Sequence, residues 1–421
     1  MQPEAVLPPH HHRRSSCRLC DSEDLRVVLS LTPTPPANAL VRPEQVWTIQ
    51  TTAYPLDVYR CGDCEHLQLL DIVNPAVLFS HYVYVSSTSP VMVGYLRRQC
   101  DAIIARLALK PGDLVVEIGS NDGTLLRFFK AAGMRVLGVD PARNVVPDAD
   151  DIETLTDFFD IEVARRIREQ HGPAAAVCAY NVCAHADDLQ GMIRGVAELL
   201  AADGHFVFEV GYLLDVYRKT LFDTIYHEHV DFHRVGPLRG FFARNGLRMI
   251  HAERSDIQGG AVVGYVGRTA EDEDGSVEAL VAQEHAAGLH LPETFVHFGE
   301  KIARRRDELT ALLAGLKARG KSIAAYGAPA KATTLMYHFG IDRSVIEYIV
   351  DDNPIKQGLL TPGLHLPILG PETLYSRKPD YVLLLAWNFA EPIVAKHRDY
   401  AGRAGRFIIP LPDLTLAGGG D

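Results

Sequence analysis

The chain has no apolar run long enough to cross a membrane, and its N-terminal leader lacks the apolar core of a signal peptide. These absences predict a cytoplasmic protein with no membrane partner. The chain also lacks an excess of positive charge, because 42 lysines and arginines face 53 acidic residues, for a formal net charge of -11. Nucleic-acid binding needs a basic face toward the phosphates, so a nucleic-acid partner is not expected.

The stretch 114–126, LVVEIGSNDGTLL, lacks two common phosphate-binding patterns. It contains neither G-x-G-x-x-G nor the Lys-Ser/Thr of a P-loop, so we do not expect the ligand to be held by a pyrophosphate. What it has is an apolar strand, a glycine-rich turn that lets the backbone approach a ligand, and a helix start with free N–H groups. The next predicted strand ends at Asp140, whose carboxylate can accept both hydroxyls of a ribose.

This strand, turn and helix with a later acid resembles the signature of class I S-adenosylmethionine-dependent methyltransferases. The alternative is an ordinary Rossmann-type turn that holds another adenosine cofactor. Asn181 is a further candidate because it follows the predicted strand 174–180 and so faces the ligand crevice of an open α/β sheet. The predicted cofactor-binding residues are Glu117, Gly119, Asn121, Asp122, Gly123, Asp140 and Asn181.

A chain of 421 residues is too long for one hydrophobic core and suggests two or three domains. We predict an α/β protein with a small zinc-binding module over 1–75, a class I methyltransferase core over 76–290, and a second Rossmann-like domain over 291–421. An amphipathic helix predicted at 293–319 joins the last two, because its apolar residues fall mostly three or four apart.

Four of the seven cysteines form two pairs with two residues between the members of each pair. Two thiolates from one tight turn can reach a single ion, and two such turns complete a tetrahedral site. With sulfur at all four positions no site is left for water, so the zinc should be structural. The predicted ligands are Cys17, Cys20, Cys61 and Cys64, whereas Cys100, Cys178 and Cys183 lie in apolar surroundings and are expected in the core.

The densest group of reactive side chains is 223–233, DTIYHEHVDFH, with a phenol, three imidazoles and three carboxylates. Such a group suggests a site for acid–base chemistry near neutral pH. On an extended strand or turn, Tyr226 and Glu228 would project to one side and His227 and His229 to the other. A metal site formed by His227, His229 and His233 is the less favoured alternative. His185 is a candidate by position, beyond the strand 174–180.

From the cysteine module through E-I-G-S-N-D-G, N-V-x-A-H-x-D-D-L, Y-H-E-H, Y-G-A-P-A-K and W-N-F, the chain resembles the deoxysugar C-methyltransferase family. The resemblance covers about residues 17–412. It implies S-adenosylmethionine-dependent methylation at C-3 of a dTDP-4-keto-deoxysugar, through an enolate, in deoxysugar biosynthesis for an antibiotic or other natural product. A monomer or weak homodimer is expected.

By this resemblance, His229 is the base, Glu228 orients or polarises the cluster, and Tyr226 and His185 contact the sugar oxygens. Lys331 is expected near phosphate, with Trp387 and Asn388 near the crevice of the C-terminal domain. Two tyrosines ahead of the cofactor fold, Tyr82 and Tyr84, are predicted to form a lid over substrate or else to pack.

Two other function classes stay open from the sequence. An NADPH-dependent 4-ketoreductase, alone or alongside methylation, would use the C-terminal Rossmann-like turn with Asp351 at the end of the second strand. The second class is a non-catalytic scaffold that binds zinc, although the reactive side chains at 223–233 disfavour it.

Overall fold

The computed structural model describes residues 10–48, 51–79, 84–145, 147, 151–268, 274–402 and 405–418. Over those residues the strands β1 to β19, in chain order, are His11–Arg13, Leu25–Thr34, Tyr54–Cys61, Leu67–Leu69, Asp71–Val73, Leu114–Ile118, Arg135–Val139, Thr154–Leu155, Ala174–Tyr180, Leu200–Gly211, Asp231–Phe232, Arg248–Ser255, Ala261–Gly267, Ile323–Tyr326, Ile349–Val350, Ile368–Leu369, Tyr381–Leu384, Arg406–Ile409 and Thr415–Ala417. The helices α1 to α13 are Pro75–Phe79, Pro90–Leu107, Thr124–Ala131, Ile161–His171, Leu189–Leu199, Leu213–Lys219, Val235–Arg244, Ser276–Ala286, Pro292–Ala318, Lys331–Phe339, Glu372–Arg377, Ala390–Lys396 and Arg398–Ala401.

The chain divides into two compact units, each assembled from several stretches of sequence. Unit 1 comprises Met1–Arg26, Tyr59–Leu214 and Val230–His290. Unit 2 comprises Val27–Val58, Asp215–His229 and Leu291–Asp421. The 223–233 group therefore contributes residues to both units.

Unit 1 is built on a seven-stranded sheet in the order β12-β13-β10-β9-β6-β7-β8. The strands from β10 to β8 are parallel, β13 runs antiparallel to β10, and the edge strand β12 runs antiparallel to β13 and therefore in the same direction as the parallel strands. All five residues of β6 are buried, including Glu117, as expected for a central parallel strand whose other four residues are apolar. With helices between its parallel strands and one reversed strand next to the edge, this is the Rossmann-like arrangement that the sequence predicts for a class I methyltransferase core.

The core of unit 1 joins that sheet to α2 and α3. Ile103 of α2 and Phe129 of α3 are buried against Val115 and Cys178 of the sheet. Helix α2 starts at Pro90, because Ser89 accepts a hydrogen bond from the N–H of Met92 and a proline suits the first turn of a helix. This packing fixes the carboxyl ends of β6 and β9, where the candidate residues lie.

Unit 2 contains a six-stranded sheet in the order β16-β15-β14-β17-β18-β19, parallel except for the edge strand β19. The order reverses at β14, so the crevice of this sheet lies outside the carboxyl ends of β14 and β17. Helix α9 precedes the sheet and buries Phe298, Ile302 and Leu309 on one face. The predicted second Rossmann-like domain is confirmed.

Two smaller sheets complete the fold: β1 pairs with β5, and four strands follow the order β11-β4-β3-β2. Among the described helices, none is long and apolar enough to cross a membrane.

Candidate active site

The turn after β6 is shaped to let a ligand approach its backbone. Gly119, Asn121 and Gly123 all have positive φ angles, of 68°, 51° and 74°. A Cβ added at Gly119 would lie 2.3 Å from Cγ2 of Val182, so only glycine fits there. The N–H of Gly119 donates to the carbonyl of Val139 at 2.7 Å, which ties the turn to the end of β7.

Two buried carboxylates border this turn. Asp140 accepts hydrogen bonds from the N–H of Asn121 at 2.8 Å and from the N–H of Ala142 at 2.8 Å. Burial raises the pKa of Asp140, while these two donors lower it. Burial also raises the pKa of Glu117, whose Oε2 has no hydrogen-bond partner among the described residues. A bound nucleoside or amino-acid group with donors would satisfy such an oxygen, so these residues fit S-adenosylmethionine.

The segment before α2 is tied to the same turn. The side chain of Asn121 accepts from the N–H of Ser86 at 2.9 Å and donates to the carbonyl of Tyr84 at 3.0 Å. Asp122 accepts from the N–H of Ser87 at 3.0 Å. These contacts place Tyr84, one of the two residues predicted to form a lid, beside the turn after β6. The predicted lid residue Tyr82 lies outside the described residues.

Asn181, beyond β9, is held by a residue that the sequence reasoning missed. Its φ of 56° is left-handed, and its Nδ2 donates to Oε1 of Glu209 at 2.9 Å. The hydroxyl of Tyr95 donates to the other oxygen of Glu209. Burial raises the pKa of Glu209 to about 7, against the lowering effect of both donors. The available signal was a lone carboxylate in the apolar strand FVFEV, beside β9 in the sheet.

His185 ends a short 3₁₀ turn, Cys183–His185, that follows Asn181. Its ring lies edge-on to Phe79, with 5.4 Å between ring centroids. The residue before it, Ala184, accepts a hydrogen bond from the N–H of Val230 at 2.8 Å. The chain immediately before His185 is thus fixed to the residue that follows His229.

In unit 2, Tyr226 and His229 form one hydrogen-bonded pair. The Tyr226 hydroxyl and Nε2 of His229 are 3.0 Å apart, and Nδ1 of His229 lies 2.7 Å from the carbonyl of Thr224. A carbonyl only accepts, so Nδ1 carries the proton and the lone pair of Nε2 accepts from the Tyr226 hydroxyl. Burial lowers the pKa of His229 to about 4, which keeps the ring neutral near pH 7.

The expected alternation of side chains along 226–229 is wrong. The N–H of His229 donates to the carbonyl of Tyr226 at 2.8 Å, so the chain turns and brings these two side chains to the same side. His227 instead donates from Nε2 to the carbonyl of Pro55 at 3.1 Å and is completely buried. Among the described residues, the histidines at 227, 229 and 233 do not converge into a metal-binding group.

Glu228 is a buried acid of unit 2. It is 2% exposed, and its Oε1 accepts from Nδ2 of Asn38 at 2.7 Å. Burial raises the pKa of Glu228 to about 7, and the Asn38 bond and the charge of Lys356 lower it. Lys356 in turn donates to the carbonyl of Ala328 at 2.8 Å, in the turn after β14. Glu228 is therefore positioned to share a proton near neutral pH.

The three C-terminal substrate candidates meet in one cluster. Nζ of Lys331 lies 3.5 Å from the centroid of the Trp387 ring and donates to Oδ1 of Asn388 at 2.7 Å. The Trp387 indole donates to Asp223 at 2.6 Å. Burial lowers the pKa of Lys331 to about 8, while the charge of Asp223 raises it. Asp223, which the prediction did not name as a site residue, therefore orients this cluster.

The turn after β14 has the same features as the turn after β6 in unit 1. Gly327 has a φ of 85°, and its N–H donates to the carbonyl of Val350 at 2.7 Å. Asp351, at the end of β15, accepts from the N–H of Ala328 at 2.6 Å and from the N–H of Asn353 at 2.7 Å. Gly119 and Asp140 make the corresponding contacts in unit 1. Both sheets thus present a glycine turn and a carboxylate in the arrangement that binds nucleosides.

The four predicted zinc ligands converge in unit 1. Their sulfur atoms all lie within 4.8 Å of one another, with Cys17 and Cys64 at 3.5 Å and Cys20 and Cys61 at 3.6 Å. Zn–S bonds of about 2.3 Å in a tetrahedron require S–S separations of about 3.8 Å, so the site fits zinc. Cys100, Cys178 and Cys183 are buried in the core, as predicted.

Three family models match the chain in succession: "Putative zinc binding domain" at residues 17–79, "Methyltransferase domain" at 92–252 and "C-methyltransferase C-terminal domain" at 256–412. The C-methyltransferase NovU of Streptomyces niveus is 37% identical over 401 residues, which make up 94% of this chain and 95% of NovU. The chain belongs to the C-methyltransferase family. It is accordingly an S-adenosylmethionine-dependent C-methyltransferase with a zinc-binding module.

Other relatives match only part of this C-methyltransferase. The ubiquinone biosynthesis O-methyltransferase of Ralstonia nicotianae is 26% identical over 185 residues, which are 41% of this chain and 76% of that protein. The crystal structure of magnesium protoporphyrin IX methyltransferase from Synechocystis PCC 6803 with bound S-adenosylmethionine is 17% identical. The match covers 42% of this chain and 82% of the Synechocystis chain, with a TM-score of 0.32.

Proposed function

We propose that this C-methyltransferase acts on C-3 of a dTDP-4-keto-deoxysugar, in the biosynthesis of a deoxysugar for an antibiotic or other natural product. The observation that carries the proposal is the Tyr226–His229 pair. A neutral imidazole with its Nδ1 proton bound to a carbonyl offers Nε2 as a proton acceptor. Methylation of carbon needs such a base, because a C–H bond is not nucleophilic until its proton has been removed.

The proposed roles divide between deprotonation and charge stabilisation. His229 removes the proton at C-3, next to the 4-ketone, and the electrons left behind form an enolate. Tyr226 would release Nε2 of His229 when substrate binds and donate its hydroxyl proton instead to the developing oxyanion, together with His185, while Glu228 orients the cluster. S-adenosylmethionine, when bound, supplies the electrophilic methyl group that the enolate carbon attacks. Glu117, Gly119, Asn121, Asp122, Gly123, Asp140 and Asn181 would hold it.

We propose that the C-terminal domain, residues 291–421, binds the dTDP part of the substrate. The repeated glycine turn with Asp351 supports a nucleoside in this unit, and Lys331 beside Trp387 and Asn388 supplies a cation for phosphate. Tyr82 and Tyr84 would cover the sugar. In the same proposal, 1–75 is the zinc module, 76–290 is the methyltransferase domain, and the protein acts as a monomer or weak homodimer in the cytoplasm.

A panel of nucleotide 4-keto-deoxysugars tests this substrate assignment. We expect a mass gain of one methyl group with dTDP-linked 4-keto sugars and S-adenosylmethionine, and none with the corresponding 4-hydroxy sugars, whose C-3 proton is not acidic. Transfer to the 4-hydroxy sugars would contradict the proposal. Absorbance loss from added NADPH in the same mixtures would indicate the 4-ketoreductase that the sequence left open.

The two repeated carboxylates give a reciprocal prediction. Asp140→Asn should weaken S-adenosylmethionine binding by about 10- to 100-fold and leave dTDP binding unchanged, because a charged acceptor bond contributes about 1.5–3 kcal/mol. Asp351→Asn should do the opposite. Calorimetric titration of each variant with each ligand measures all four values. Equal losses for both ligands in either variant would contradict the assignment of one nucleoside to each unit.

The lowered pKa of Lys331 predicts that dTDP binding depends on pH. Because burial sets this pKa at about 8, below the ordinary value of 10.5, the charge is present below pH 8 and is lost as pH rises through that value. We expect the dissociation constant for dTDP to rise by about tenfold between pH 7 and pH 9. Lys331→Arg stays charged and should remove this rise; persistence of the rise in that variant would assign it to another group.

A further inference from the structure

The zinc module carries a buried arginine directly beside one of its ligands. Arg18 follows Cys17 in the chain. The whole residue is 1% exposed and its side chain alone is 0% exposed. Its Nη1 donates to the carbonyl of Leu69 at 2.6 Å and to Oε1 of Gln68 at 3.2 Å. Burying a guanidinium is costly unless its donors are used, so this side chain has a specific structural task.

The two Nη groups of Arg18 also reach the two chain segments that carry the candidate histidines, whereas its Nε has no hydrogen-bond partner among the described residues. Nη1 also donates to the carbonyl of Val230 at 3.4 Å, and Nη2 donates to Oδ1 of Asp187 at 3.3 Å. Val230 is the residue after His229, and Asp187 lies two residues after His185. One planar guanidinium therefore fixes points on both segments.

Backbone hydrogen bonds join the same segments directly. The N–H of Val230 donates to the carbonyl of Ala184 at 2.8 Å, and its carbonyl accepts from the N–H of Leu69 at 2.8 Å. Arg14 adds bonds from Nη1 to the carbonyl of Asp187 at 3.0 Å and to its Oδ1 at 3.1 Å. The anchored points thus belong to one continuous hydrogen-bonded group.

We propose that Arg18 is a positioning residue, which transmits the geometry of the zinc knuckle to the segments bearing His185 and His229. We call Arg18, Gln68, Leu69, Asp187 and Val230 the Arg18 brace. Zinc fixes Cys17, Cys17 fixes the start of the Arg18 side chain, and the guanidinium fixes Asp187 and Val230. The effect of the Arg18 brace on turnover rests on the proposed function, whereas its effect on the positions of Asp187 and Val230 does not.

Arg18→Lys tests the brace, because lysine keeps the charge but loses the planar fork. Arg60→Lys is the matched control: Arg60 is likewise adjacent in the chain to a zinc ligand, Cys61, but its Nη2 donates to the carbonyl of His290 instead. With zinc content verified at wild-type stoichiometry, crystal structures of both variants measure the positions of Asp187 and Val230. We expect both to shift in Arg18→Lys and neither in Arg60→Lys. Unchanged positions in zinc-loaded Arg18→Lys would overturn the proposal.

Exchange of the sugar C-3 proton with deuterium from solvent provides the functional readout. We expect Arg18→Lys to slow exchange by about 10- to 100-fold with unchanged affinity for S-adenosylmethionine, and Arg60→Lys to stay within about twofold of the wild type. Wild-type exchange in Arg18→Lys would overturn the positioning role. No exchange in the wild type would instead reject the enolate chemistry, while the crystal structures still decide on the brace.

If Arg18→Lys does not fold, Asp187→Asn tests the contact between Arg18 and Asp187. This variant should shift the 185–187 segment alone, and an unmoved segment would overturn that part of the proposal.

Discussion

Replacing His229 by asparagine should lower kcat by about 10²- to 10⁴-fold, the usual contribution of a general base, and leave the affinity for S-adenosylmethionine unchanged. Asparagine retains a donor for the Thr224 carbonyl but has no basic nitrogen. Tyr226→Phe should have a smaller effect, since it removes a donor and leaves the base. Initial rates with a 4-keto sugar and calorimetric titration with S-adenosylmethionine measure the two quantities.

His365→Asn is the matched control for the His229 variant. His365 belongs to the same unit and has a left-handed φ of 53°, a conformation that asparagine tolerates. We expect wild-type turnover from this control. Wild-type turnover from His229→Asn would remove that imidazole from the chemistry.

Cys61→Ser should produce the largest loss of stability in the chain. Structural zinc sites contribute about 10–16 kcal/mol of apparent binding free energy, and that energy is coupled to folding. Substituting one of four thiolates should therefore abolish zinc retention and leave most of the protein insoluble. Zinc content by plasma mass spectrometry and the soluble fraction after expression measure the effect.

Cys100→Ser separates the metal from the general cost of a polar atom in the core. Cys100 is 1% exposed and packs in the core of unit 1, away from the four ligands. We expect this variant to lose some thermal stability but to retain one zinc per chain. A soluble and active Cys61→Ser protein without metal would contradict a structural role for zinc.

Local patterns in the sequence were sufficient to predict the strands that precede the candidate cofactor-binding residues. The mostly apolar stretch 114–118 forms β6, and the strand predicted at 174–180 is β9 with the predicted bounds. Within each Cys-x-x-Cys pair, the two residues between the thiolates fix a tight turn that turns both sulfur atoms toward one ion. Each of these features depends on residues that are neighbours in the chain, so sequence spacing carries the information.

The features that the sequence reasoning missed depend on long-range contacts. Glu209 binds Asn181 across adjacent strands, and Asp223 binds Trp387 from 164 positions away along the chain. The alternation expected at 226–229 is wrong because the chain turns there, with a bond from the His229 N–H to the Tyr226 carbonyl, instead of being extended. Neither the partner of a buried acid nor this turn is encoded in a periodic pattern.

Carbon alkylation is the central claim, and the position of the transferred methyl group tests it most directly. The enzyme is incubated with a dTDP-4-keto-deoxysugar and S-adenosylmethionine carrying an isotope-labelled methyl group, and the product is analysed by nuclear magnetic resonance. The account predicts that the labelled methyl is bonded to ring carbon C-3, beside the ketone. A labelled methyl bonded to a sugar oxygen would contradict it.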